Sequence, residues 1–150
     1  MRLLLINGPN LNLLGIREPG IYGNITYEDL IANLQNYSKN LGIELSCFQS
    51  NSEGQLIDRL HEAIGEVDGI ILNPGALTHY SYSLRDAISA IQLPVLEVHI
   101  SNIHSRESFR NVSLTAPVCI GQITGLGIHG YYLAIDFFVR NLMKENGSLK

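Results

Sequence analysis

Short apolar runs recur along this chain at intervals that leave room for a helix between each pair. The first spans residues 3–6, and others follow at 43–48, 69–72, 94–98 and 118–120. A continuous apolar run, without polar alternation, marks a strand covered on both faces, as in a parallel sheet. Residues 43–48 depart from this pattern, because Glu44 and Ser46 alternate with Ile43, Leu45 and Cys47, which predicts an edge strand. The intervening segments change to helical spacing. Thr26 and Asp29 resemble a capping box at the start of a helix that carries Leu30, Ile31, Leu34 and Tyr37 and stops at Leu41-Gly42. Residues 53–64 place Leu56, Ile57, Leu60 and Ile64 on one face, and residues 83–91 do the same with Leu84, Ala87, Ile88 and Ile91. A last helix over residues 129–143 carries Tyr132, Leu133, Ile135, Phe138, Val139 and Leu142, with Gly147 beyond its end.

Five strands alternating with helices predict an α/β fold, a flavodoxin-like doubly wound sandwich around a five-stranded parallel sheet of order 2-1-3-4-5. Residues 1–150 read as a single domain, with no linker, repeat or low-complexity tract. In such sheets ligands bind beyond the C-terminal ends of the strands, where the winding direction reverses. That rule points to the loops after strands one, three and four.

All three loops are rich in polar side chains. The first, which includes Asn10, Arg17 and Tyr22, runs for nearly twenty residues before the next helix, where two to six are ordinary. Its glycines at 15, 20 and 23 suit a hinged lid, and a plain surface loop is the other reading. The third strand runs into Asn73, Gly75 and His79, with Gly75 permitting close backbone approach to a ligand. His79 alone is compatible with a structural role. Asp86 follows Arg85 on the next helix, either as a solvated pair or as part of an oligomer interface. The fourth strand ends with Glu97 and His99, two residues apart and therefore on one face. A carboxylate so placed can fix an imidazole's tautomer and stabilise its protonated form, as general acid–base catalysis requires, although such pairs also arise by chance. Beyond them the backbone amides of Ile100 and Ser101 are available to a carboxylate, and Arg106 and Arg110 share a face if their segment is helical.

Composition narrows the function further. The chain of 150 residues has a formal charge of -4, with 16% charged residues, which lacks the basic field that nucleic acid or an anionic membrane would demand. Arginines near the polar loops of an otherwise acidic protein suggest a small anionic ligand. Cys47 and Cys119 read as buried free thiols. The apolar start is too short for a signal peptide or a span, so a cytoplasmic protein is expected. Neither GxGxxG nor GxxxxGK[ST] occurs, and His99 and His104 lack the HExxH spacing of a zinc helix. The lysines, Lys39, Lys144 and Lys150, stand away from the polar loops, which disfavours imine chemistry.

Four blocks, in order and spread over nearly the whole chain, resemble the type II 3-dehydroquinate dehydratases. They are INGPNLNLLGIREPGIYG (residues 6–23), ILNPGALTHYSYSLRDA (71–87), EVHISNIHSRESFR (97–110) and GLGIHGY (125–131). The resemblance implies removal of water from 3-dehydroquinate to give 3-dehydroshikimate, by anti elimination through an enolate, without cofactor or metal. It makes Tyr22 the base, helped by Arg17. It makes Asn10 the holder of a water that donates to the enolate oxygen, and His99, oriented by Glu97, the acid. It assigns substrate contacts to Asn73, Gly75, His79, Ile100, Ser101 and Arg110, and sends Asp86 into a neighbouring subunit's site. Arg106 belongs to the lid or the substrate side. A dodecamer of four trimers and a place in the shikimate route, or in quinate breakdown, are implied as well. Three other readings remain: an acid–base enzyme acting on another sugar acid, a flavodoxin-like ligand-binding module without turnover, and a flavin protein.

Overall fold

A computed structural model describes residues 1–145, which build one five-stranded sheet between two layers of helices. The strands are β1 (Arg2–Asn7), β2 (Glu44–Gln49), β3 (Gly69–Asn73), β4 (Val95–His99) and β5 (Gly121–Thr124). All neighbours pair in parallel, in the order β2-β1-β3-β4-β5. The helices are α1 (Pro19–Tyr22), α2 (Tyr27–Asn40), α3 (Glu53–Glu62), α4 (Tyr82–Ile91) and α5 (His129–Glu145).

Period-two alternation along each strand divides the core into two layers. Leu3 and Leu5 of β1, Ile71 of β3 and Leu96 and Val98 of β4 pack against α2 and α5 through Leu30, Leu34, Tyr131, Ile135 and Phe138. Leu4, Ile6, Ile70, Leu72 and Val95 face α3 and α4 through Leu56, Leu60, Leu84 and Ile88. Glu97 and His99 continue the row begun by Val95, so they lie on the α3/α4 side of the sheet. Asn7 and Asn73 continue the opposite rows, toward α5.

The start of α2 is capped as the sequence suggests, and α3 and α4 begin on caps of their own. Thr26 Oγ1 accepts from the Asp29 N–H, and Ser52 and Ser81 cap α3 and α4 in the same way. β2 lies at the sheet edge with Glu44 exposed and Leu45 buried.

Three expectations need correction. The last strand is not residues 118–120. Ala116–Val118 forms a turn of 3-10 helix with Pro117 in its first positions, and pairing resumes only where the Ile120 N–H reaches the Val95 carbonyl. β5 is a half-buried edge strand of sequence GQIT, so it carries no apolar run to reveal it. Ile64 lies beyond α3 and is 58% exposed, while Ala63 fills the core. On α5 Tyr131 is buried together with Phe138, and Leu133 faces outward. Cys47 and Cys119 are free and half-buried; burial pushes both thiols up to about 12, so neither is a nucleophile at neutral pH. Gly147 and Lys150 lie outside the described residues.

Candidate active site

The loops after β1 and β3 cross at the point where the winding reverses. The Gly8 N–H donates to the Asn73 carbonyl at 2.7 Å. A Cβ on Gly8 would lie 2.6 Å from the Pro74 carbonyl oxygen, so only glycine lets the two backbones meet. Gly75, at φ 59°, passes 3.2 Å from the Pro9 oxygen by the same measure. Gly8→Ala should force these loops apart and cost about 1–3 kcal/mol of stability, seen as a lower urea midpoint with an unchanged denaturant slope.

Beside this crossing opens a cleft of about 470 Å³, including the part open to solvent. Asn10, Arg17, Asn73, Gly75, His79, His99, Ile100, Ser101 and Arg110 line it, with Pro9, Leu11, Ala76, Ile103 and Arg106. The candidates from three separate loops therefore share one cavity. Glu97, buried against His99, is not part of the lining. Asp86 sits on the exposed side of α4, outside the lining, and Arg85 donates to the Leu114 carbonyl at 2.8 Å. Tyr22 ends the one-turn helix α1 on the long first loop, five residues after the cleft-lining Arg17.

That loop is not featureless. Leu11–Leu13 form a 3-10 turn, Leu11 and Leu14 are buried, and Pro19 opens α1 in the position where its missing N–H is harmless. Gly15 packs against the Ile25 carbonyl, closing the loop's base. Glu18 ties the loop across the cleft mouth. Its carboxylate lies 3.7 Å from Arg17 and 3.4 Å from Arg106, whose other nitrogen donates to Ser101 Oγ at 3.3 Å. Arg106 thus stands between the lid and the β4 loop.

Glu97 is wholly buried, and His99 Nε2 lies 3.1 Å from its Oε2. The ring N–H is not aligned on that oxygen, so the contact is an ion pair by distance when the imidazole is protonated. Thr78, Ser113, Thr115 and Gln122 donate to the same carboxylate. Burial pushes the Glu97 carboxyl up, but His99, Thr115 and Gln122 together outweigh it and hold it below the usual range. A carboxyl lowered in the fold stabilises it fully above its ordinary value of 4.5, and that contribution is lost as pH falls through the lower folded value. Wild type should therefore lose more unfolding free energy than Glu97→Gln when urea titrations are moved from neutral pH to below that window.

Groups that line the cleft are fixed from behind. Tyr131 accepts from Asn73 Nδ2 at 2.8 Å and donates to Asn7 Oδ1 at 2.6 Å, while Asn73 Oδ1 accepts from the Gly75 N–H. Burial raises the Tyr131 hydroxyl well above its ordinary value, so it stays neutral. Asn10 adopts a left-handed backbone, and its N–H donates to Asn51 Oδ1 at 2.9 Å. His79 Nδ1–H donates to the Val112 carbonyl at 2.7 Å. Burial pushes His79 below its ordinary value, the Val112 bond opposes, and His99 and Arg110 add to the lowering. Arg110 pairs with Glu107 at 2.5 Å and lies over the Phe109 ring.

The backbone after β4 is oriented by its carbonyls. Those of His99 and Ile100 accept from the Gly125 and Gly127 N–H groups, and that of Ser101 from Thr124 Oγ1. In a trans peptide the next N–H points the opposite way, so the amides of Ile100, Ser101 and Asn102 turn from the β5 side. With arginines around them they form an anion cradle. Asn51, Tyr131, Glu18 and the hydroxyl groups around Glu97 escaped sequence reading; only GLGIHGY, which ends at Tyr131, carried a hint of one. Among the described residues, no group of three or more His, Cys, Asp or Glu side chains is placed to hold a metal, and no lysine lines the cleft.

A doubly wound fold with an acid–base pair and an anion cradle at its switch point defines a small-molecule enzyme of the class that moves protons on an anionic substrate. The chain belongs to the class II dehydroquinase family, whose sequence model matches residues 1–139. It is 53% identical over 146 residues to the 3-dehydroquinate dehydratase of Thermotoga neapolitana, covering 97% of this chain and 99% of the relative. It is 60% identical over 141 residues to that of Bacillus mycoides, covering 94% and 97%. The type II dehydroquinase structure from Butyrivibrio crossotus superimposes with a TM-score of 0.91 at 52% identity, covering 94% of this chain and 98% of that one.

Proposed function

We propose that this protein is a hydro-lyase that converts 3-dehydroquinate to 3-dehydroshikimate by anti elimination. The observation that carries the reading is the buried Glu97–His99 pair at the cleft wall, opposite a lid bearing Arg17, in a chain of the dehydroquinase family.

The substrate carboxylate binds to the amides of Ile100 and Ser101 and to the Ser101 hydroxyl. His79 and Arg110 contact ring hydroxyls, and Asn73 aligns the ring with Gly75. Tyr22, as tyrosinate, removes the axial proton beside the ketone. Free tyrosine titrates near 10, and the Arg17 guanidinium favours the charged form. The electrons move into the ketone to give an enolate, whose oxygen is stabilised by a water held on Asn10, in the manner of an oxyanion hole. As the enolate collapses, the carbon–oxygen bond to the tertiary hydroxyl breaks. His99 gives that oxygen a proton, water leaves, and the conjugated enone remains. Glu97 keeps His99 charged and oriented.

Each group works on its own ring face, which is why the base and the acid come from different loops. The cytoplasm, a dodecamer of four trimers and an Asp86 contribution to the neighbouring site belong to the same reading. No helix among the described residues is long and apolar enough to cross a membrane. Substrate labelled with deuterium at one face of the carbon beside the ketone tests the geometry. Anti elimination releases only the axial label; release of the equatorial label would place base and acid on the same face and defeat the assignment.

A further inference from the structure

The stretch from Val112 to Thr115 serves two sides. Its main chain faces outward at Val112 and Leu114. The Val112 carbonyl holds His79 Nδ1, the Leu114 N–H donates to the Thr78 carbonyl at 2.7 Å, and the Leu114 carbonyl holds Arg85. Its hydroxyls face inward at Ser113 and Thr115, onto Glu97. Thr78 adds a third hydroxyl, 3.0 Å from Glu97 Oε1, and Gln122 reaches Oε2 from β5.

Proton counting shows what this cluster is built for. Each hydroxyl has one proton and can accept as well. Thr78 Oγ1 lies 2.8 Å from Ser113 Oγ and 2.6 Å from Thr115 Oγ1, and Ser113 Oγ already accepts from the Ala116 N–H. With the three hydroxyl protons and the Gln122 amide all directed at Glu97, the central group is matched by a pure acceptor with room for four hydrogen bonds. An ionised carboxylate is one, and a protonated carboxyl adds a donor to a crowded cluster.

We propose that Thr78, Ser113, Thr115 and Gln122 are positioning residues that hold Glu97 as an aimed carboxylate, so that the proton of the Glu97–His99 pair resides on His99. The inference rests on His99 being the acid of the proposed reaction. Other charged or titratable groups around the pair are His79 after β3, Arg106 and Arg110 after β4, Arg17 on the lid and Cys119 before β5. None of these is a second carboxylate, so the hydroxyls and the amide carry the task of holding the anion. Weakening them moves the shared proton from His99 to Glu97 and leaves a neutral imidazole that cannot donate.

Thr115→Val tests this at constant shape. Turnover at the pH optimum should fall about tenfold with KM changed less than twofold. Thr115→Ser should restore turnover. In a Glu97→Gln background, Thr115→Val should have no further effect on kcat, because the coupled partner is gone. In the ring ¹⁵N spectrum at the optimum, His99 should shift from imidazolium toward neutral, a readout independent of turnover. Gln122→Met, at the sheet edge, gives the same measurements if Thr115→Val does not fold. An unaltered imidazolium signal, or an equal loss in the Glu97→Gln background, overturns the proposal. Wild-type protein that leaves 3-dehydroquinate unchanged defeats the function instead, and the ¹⁵N spectrum still decides the cage.

Discussion

Replacing Tyr22 with phenylalanine is expected to lower kcat on 3-dehydroquinate by about 10²–10⁴-fold, the range that a positioned general base supplies. The substitution removes one oxygen from α1, on a lid outside the two core layers, so circular dichroism and the urea midpoint should stay as in wild type. Because the base acts first, the variant should also fail to exchange the axial proton of the substrate with deuterated solvent. Near-normal turnover in a folded Tyr22→Phe protein would remove Tyr22 from the mechanism.

The second large effect falls on the other ring face. His99→Ala should lower kcat by a similar factor, about 10²–10⁴, but at a different step. Base, Arg17 and the Asn10 water remain, so the enolate still forms. Solvent deuterium should enter the axial position of recovered substrate while the hydroxyl stays in place. Glu97 keeps its four other donors, so stability should fall less than the roughly 3–5 kcal/mol that an uncompensated buried charge costs. An unchanged elimination rate excludes His99 as the main acid. Loss of exchange together with elimination would mean that His99 serves the first step.

The contrast between these variants reflects what the sequence can and cannot disclose. The three inner strands, β1, β3 and β4, announce themselves because a buried parallel strand has to be apolar on both faces, and β2 shows the alternation of an edge instead. β5 does not announce itself, since GQIT lies half-buried at an edge and owes its pairing to Val95 and its neighbours rather than to its own composition. On α5 the apolar residues nearly encircle the helix, so spacing alone could not separate buried Tyr131 from exposed Leu133.

The cleft follows the same division. Glu97 and His99 share a face because alternation along a strand is local geometry, and Asn10, Arg17 and Asn73 meet because strand ends at a switch point converge. Thr78, Ser113, Thr115 and Gln122 come to Glu97 from three segments up to 25 residues away, and Tyr131 reaches Asn7 across 124. Small hydroxyl residues in loops have no periodicity to betray such a partner. Glu18, read only as one more polar loop residue, gains meaning when Arg106 arrives across the cleft mouth.

The central claim is tested most directly by mixing purified, metal-stripped protein with 3-dehydroquinate and following the absorbance of the conjugated enone, with untreated protein and with protein first treated with borohydride in the presence of substrate and then freed of both. A rapid rise that persists in both conditions is the predicted result, since the proposed mechanism uses neither a metal nor a lysine imine. No rise from protein shown to be folded and assembled would contradict the dehydratase reading, and a rise abolished by borohydride would contradict its mechanism.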